Sequence, residues 1–85
     1  MIEVPIADVN GVRLAYDDEG SGTPLMLVHG SWTNRRGWDA VAGKLAERFR
    51  VVRLDRRGHS GSEAASGTLE DDAADVAALA ASLDV

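Results

Sequence analysis

With 85 residues, 45% of them hydrophobic and 27% charged, the chain is ordinary globular material, sized for one domain that buries about two-thirds of its unfolded surface. It contains no cysteine and two histidines, which excludes a disulfide framework and a thiolate metal site and leaves His29 and His59 short of a zinc ligand set. The N-terminus has no basic segment leading into an apolar core, and no apolar run approaches the roughly 20 residues that span a bilayer. A cytoplasmic protein that does not bind membranes is expected.

The net charge of −5 is unevenly spread. Residues 35–57 hold eight of the nine Lys and Arg against three acids, whereas residues 63–85 hold six acids and no base. Arg48, Arg50, Arg53, Arg56 and Arg57 straddle an apolar strand pattern instead of lining one helix face. Solvated strand ends account for that arrangement, and nucleic acid is not an expected partner.

In chain order, Val4 to Val9 and Val12 to Tyr16 are β-prone runs joined at Asn10-Gly11, a dipeptide that tolerates φ > 0 at both central turn positions and predicts a hairpin. Asp17 to Pro24 is polar and turn-rich, and a third strand is expected from Leu25 to Val28, a wholly apolar run that ends in a turn. Trp38, Val41, Leu45 and Phe49, with Ala42 and Ala46 beside them, recur at spacings of three and four and predict a helix to Phe49. Val51 to Leu54 predicts a fourth strand, followed by a glycine-rich polar loop from Asp55 to about Gly67. Thr68, with Asp71 as an approximate capping box and Glu70, Asp71 and Asp72 at the positive end of the macrodipole, starts a last helix. Its expected buried stripe is Leu69, Ala73, Val76, Ala80 and Leu83.

Strands alternating with amphipathic helices place the chain in the α/β class, with a partly parallel sheet, as one partial domain over residues 1–85. Three motifs in this order resemble the α/β-hydrolase family: Leu25 to Trp32 its strand and His-Gly turn, Trp38 to Phe49 its first helix, and Val51 to Ser62 its strand and Asp-x-Arg-Gly turn. The resemblance implies hydrolysis of an ester, an amide or a related small molecule. It implies an oxyanion-hole loop of His29, Gly30 and Ser31, with the backbone N–H of Ser31 as one donor, Trp32 beside the substrate and His29 holding the loop. No cofactor is implied.

The chain departs from that pattern where the chemistry lies. The family's G-x-S-x-G nucleophile elbow, its acid and its catalytic histidine have no matching positions, so no catalytic residue is assigned. Gly58-His59-Ser60-Gly61-Ser62 resembles an elbow, but glycine follows Ser60 by one residue instead of two, no apolar strand leads into it, and a polar turn without the strain of an exposed nucleophile is expected. Phosphate binding lacks both G-x-G-x-x-G and G-x-x-x-x-G-K-[ST].

The family's strand order sets the third strand between the fourth and a fifth that this chain lacks, leaving Leu25 to Val28 as an exposed edge. Two expectations follow. The first is the front of a truncated or split hydrolase, inactive alone. The second is a non-catalytic module completed by a partner, whether the rest of the fold or a second copy, through that edge.

Overall fold

The computed structural model describes residues 4–30, 32–62 and 66–85. Strands β1 (Ile6–Val9), β2 (Val12–Glu19), β3 (Thr23–Val28) and β4 (Phe49–Leu54) form one sheet in the order β1-β2-β4-β3. A 3-10 turn (Arg35–Trp38) leads into helix α1 (Asp39–Leu45), and helix α2 (Leu69–Ser82) follows β4. β2 runs antiparallel to both β1 and β4, while β3 and β4 are parallel. The α/β class holds, with β3 at an edge of the mixed sheet.

The hairpin forms because Asn10 and Gly11 take φ of +50° and +77°, the left-handed pair that matches the twist of the flanking strands. Side chains alternate across the sheet. Val12, Leu14, Val52 and Leu54 meet Leu79 of α2 in one buried cluster, against which Met26 packs. The other face carries α1, whose Asp39 accepts from Arg53 at 2.6 Å.

Several boundaries differ from the sequence-based expectations, beginning with β1, which starts at Ile6 instead of Val4. β2 continues through Asp17, Asp18 and Glu19, which read as a turn, because β4 pairs with them. Asp18 takes Arg50 in a two-pronged contact at 2.7 and 3.0 Å, and Arg53 lies beside Asp17 and Glu19. Those arginines are thus cross-strand partners, not merely solvated strand ends. The Arg50 guanidinium holds the Asp18 carboxyl below the usual carboxylate range.

Helix α1 stops at Leu45, short of Phe49. The chain tightens through Glu47 N–H to Lys44 O and Arg48 N–H to Leu45 O, three-residue bonds that close a helix end. Phe49 then starts β4 opposite Thr23, so both parallel strands begin two residues earlier than their apolar runs. Gly20 makes this junction possible. At φ +82° it lies so close to the Phe49 carbonyl that a β-carbon would stand 2.2 Å from that oxygen.

The stripe expected on α2 is also revised. The helix starts as expected, with a reciprocal capping box between Thr68 and Asp71. Its deepest apolar residue is Leu79, at 0% exposure, while Leu69 is 76% exposed and Ala73 is exposed. Val76 and Leu83 pack partly against the core, so the helix is rotated towards the side that carries Asp75.

Candidate functional site

β3 and β4 end side by side because they are parallel and in register through Val28 and Leu54. Two turns therefore emerge together, one beginning at His29 and one at Asp55. Their contacts determine what this end of the sheet can do.

His29 is buried, at 4% exposure. Its Nε2 accepts the backbone N–H of Arg56 at 3.0 Å, and its Nδ1 lies 2.7 Å from the carbonyl oxygen of Gly30. A carbonyl can only accept, so the two contacts require one state: a neutral ring protonated on Nδ1. The ring ties the turn after β3 to the turn after β4.

The far end of the β3 loop is held from the same place. Asp55, fully buried, accepts the Arg35 N–H at 2.7 Å, the Arg35 guanidinium, and the Gly61 N–H at 3.0 Å. Arg35 also bonds Asp17 of β2 through Nε at 2.9 Å. The segment between His29 and Arg35 is therefore clamped at both ends by residues 55 and 56. Ser31, the expected donor, lies outside the described residues.

A β-carbon on Gly30 would meet nothing within 4 Å. Trp32, expected beside a substrate, is wholly exposed, and its backbone takes φ +67°. For a bulky residue that conformation costs on the order of 1–2 kcal/mol, and such strain concentrates at functional loops.

The turn after β4 is closed by its own serine. Ser62 Oγ donates to the Asp55 carbonyl and accepts the Ala15 N–H at 2.9 Å, joining the turn to β2. Arg57 reaches Asp75 of α2 through Nε at 2.7 Å and Nη2 at 2.8 Å, and the Asn10 side-chain amide donates to the same carboxylate at 2.7 Å. The Arg57 guanidinium holds the Asp75 carboxyl below the usual carboxylate range against the opposing effect of burial, with help from Asn10. A buried acid in mid-helix thus joins hairpin, β4 turn and α2. Sequence reading missed it; the available signal was an acid on the inward side of an amphipathic helix, with an unassigned arginine in the preceding turn.

Ser60 corrects one expectation. It is exposed and takes φ +43°, so its backbone does occupy the left-handed region. Its neighbouring histidine is already engaged. His59 donates from Nδ1 to the Arg57 carbonyl at 3.0 Å and accepts from the Arg56 guanidinium at Nε2, 3.3 Å. The rings of His29 and His59 lie 4.9 Å apart, and each has its acceptor nitrogen occupied by a donor from Arg56. Neither has a free lone pair for general-base work. Among the described residues no cluster of acids and histidines could hold a metal ion.

This is an anchored pair of turns at the carboxyl end of parallel strands, where open α/β sheets place their ligands. The sequence model of the alpha/beta hydrolase family matches residues 25–85, and the chain belongs to that family. It is similar to the solved epoxide hydrolase CorEH, 38% identical with a TM-score of 0.90 over 98% of this chain and 30% of that one. It is also similar to the enol-lactonase from Burkholderia xenovorans LB400, 36% identical with a TM-score of 0.85 over 95% of this chain and 34% of that one. A putative non-heme bromoperoxidase, BpoC of Mycobacterium tuberculosis, is 38% identical over 87% of this chain and 29% of its own length. The chain spans about a third of each of these proteins.

Proposed function

We propose that this chain is the front part of an α/β hydrolase that opens an ester, an amide or a related small molecule by nucleophilic attack, and that it is inactive alone. The turn from His29 to Ser31 contributes the first donor of the oxyanion hole, and Trp32 borders the substrate. The observation that carries this reading is the double clamp on the β3 loop, with His29 fixed by Arg56 at one end and Arg35 by Asp55 at the other. A donor that stabilises developing negative charge must be held in place before the reaction, and each such donor contributes about 10²–10³ in rate. The open space at Gly30 leaves room for an approaching group.

In this reading the attacking group, its base and the orienting acid lie beyond the residues discussed. As the nucleophile adds to the electrophilic carbon, the oxygen that gains charge turns to the Ser31 N–H. Epoxide and lactone opening, named for two of the structural neighbours, both begin with attack on carbon: in an epoxide the ring C–O bond breaks as charge gathers on the ring oxygen, and in a lactone charge gathers first on the carbonyl oxygen before the ring C–O bond breaks, which supports a small electrophilic substrate. The exposed edge of β3 favours a second reading, a non-catalytic module completed by a partner strand.

The test is turnover of p-nitrophenyl esters, with fluorophosphonate labelling, by the 85-residue chain and by the longest polypeptide its gene encodes. Turnover and labelling by the long form alone, at a serine in G-x-S-x-G, is the expected result. Activity in the 85-residue chain, or a long form that lacks such an elbow, overturns the proposal.

A further inference from the structure

The chain has two asparagines, Asn10 and Asn34, and the fold treats them in opposite ways. Asparagine is chemically labile: it loses its amide when the backbone nitrogen of the next residue attacks its side-chain carbon. After Asn34 comes Arg35, whose N–H is buried and bound to Asp55 at 2.7 Å. After Asn10 comes Gly11, which has no side chain to obstruct the approach and where even an added β-carbon would meet nothing within 4 Å. The hairpin ladder pairs Val9 with Val12 across the turn, so its bonds pass outside Gly11.

The side chain of Asn10 is held from the other end of the fold. Its Nδ2 donates to Oδ1 of Asp75 at 2.7 Å, and Arg57 spans both oxygens of that carboxylate through Nε and Nη2. Nδ2 is the nitrogen that must leave, and this bond fixes the side-chain dihedrals that the attack must turn. Asp75 is 1% exposed, so water competes poorly for the contact.

We propose that Asn10 is a site of spontaneous conversion to aspartate and isoaspartate, that Asp75 restrains it, and that conversion severs the hairpin from α2. The Gly11 nitrogen gives its proton to hydroxide from solvent and bonds to the Asn10 Cγ. The Cγ–Nδ2 bond breaks, and Nδ2 leaves with a solvent proton as ammonia. Water then opens the cyclic imide at either carbonyl, giving aspartate or isoaspartate. Either product sets a second carboxylate against Asp75 where an amide donated, and like charges at that distance repel. Isoaspartate also lengthens the main chain within the turn, against the pairing of Val9 with Val12. Arg57, already committed to both Asp75 oxygens, also feels Asp71 and Asp72 of α2, while Asp8 of β1 stands opposite Arg13 of β2. One guanidinium is then left among several acids. In acid the new carboxyl regains a proton and can donate to Asp75 again.

The folded protein, held at mildly alkaline pH and then digested, is read by peptide mapping with mass spectrometry for aspartate and isoaspartate at both asparagines. Conversion is expected at Asn10 and not at Asn34. Asp75→Ala removes the acceptor and Leu79→Ala loosens the same helix without touching it. In urea concentrations that give these variants equal stability, Asp75→Ala is expected to convert about 10–100-fold faster, the hold of a hydrogen bond to a charged group. Asn10→Asp, the product itself, serves where Asp75→Ala does not fold: its urea midpoint is expected below wild type at neutral pH, approaching it as pH falls through the carboxylate range. No conversion at Asn10 in the folded protein, or conversion at Asn34 to the same extent, overturns the proposal. Equal rates for the two variants, or an Asn10→Asp midpoint that matches wild type at neutral pH, overturns it as well.

Discussion

Replacing Leu79 by alanine tests which face of α2 the fold uses. Leu79 is fully buried among Val12, Leu14, Val52 and Leu54. Leucine-to-alanine changes at such sites cost about 2.7–5.0 kcal/mol, the transfer term plus a residual cavity. Met26, Val76 and Leu83 are only partly buried around the cluster, so the site can relax and the lower end, about 3 kcal/mol, is expected. A domain of this size has roughly 4–13 kcal/mol in total at 0.05–0.15 kcal/mol per residue. The loss corresponds to a fall in Tm of about 10–25 °C at 4–8 °C per kcal/mol. Leu69→Ala, at a position 76% exposed, is expected to stay within about 0.5 kcal/mol of wild type. Urea and thermal unfolding followed by far-UV circular dichroism at one fixed chain concentration measure both. Equal losses for the two variants, or a larger one for Leu69→Ala, would refute the placement of the core on the Leu79 side.

Ser62→Ala removes the acceptor of the buried Ala15 N–H, and leaving a buried donor unpaired costs about 1–3 kcal/mol; a urea midpoint unchanged from wild type would contradict the bridging role of the hydroxyl. The Asp75 carboxyl is held below its ordinary value when folded, so its contribution is fully present above the unfolded value of about 3.9 and is lost as pH falls through the folded one. Asp75→Asn is therefore expected to be less stable than wild type at neutral pH, with the gap narrowing in acid. Guanidinium melts across that range check it, and a gap that widens on acidification would reverse the assignment.

The hairpin, the α/β class, the order of elements and the start of α2 were legible because each rests on local chemistry. Asn10-Gly11 accepts a left-handed turn that few other dipeptides do, and Thr68 with Asp71 satisfies helix-end donors within three residues. The His-Gly and Asp-x-Arg-Gly turns were legible as motifs. That they clamp one loop between them was not, because the bonds from His29 to Arg56 and from Arg35 to Asp55 cross 27 and 20 residues. Ser60 shows the same limit. Its spacing argued for an unstrained polar turn, yet its backbone is left-handed, while the engagement of His59 by Arg56 decides its chemistry.

Periodicity, turn residues and caps, all readable in the sequence by itself, determined which segments could be strand or helix and which apolar run would end at the loop. Tertiary structure decided where those segments stop and which way they face. Phe49 fits a helical stripe and also a strand, and pairing with Thr23 selects the strand. Asp17 to Glu19 read as turn until β4 supplies a ladder and arginine partners. The stripe expected on α2 holds at Val76 and Leu83 but not at Leu69, which is exposed, while Leu79 is buried on the side where Asp75 meets Arg57. Each choice lay between local states of similar energy, so a contact formed across the fold was enough to settle it.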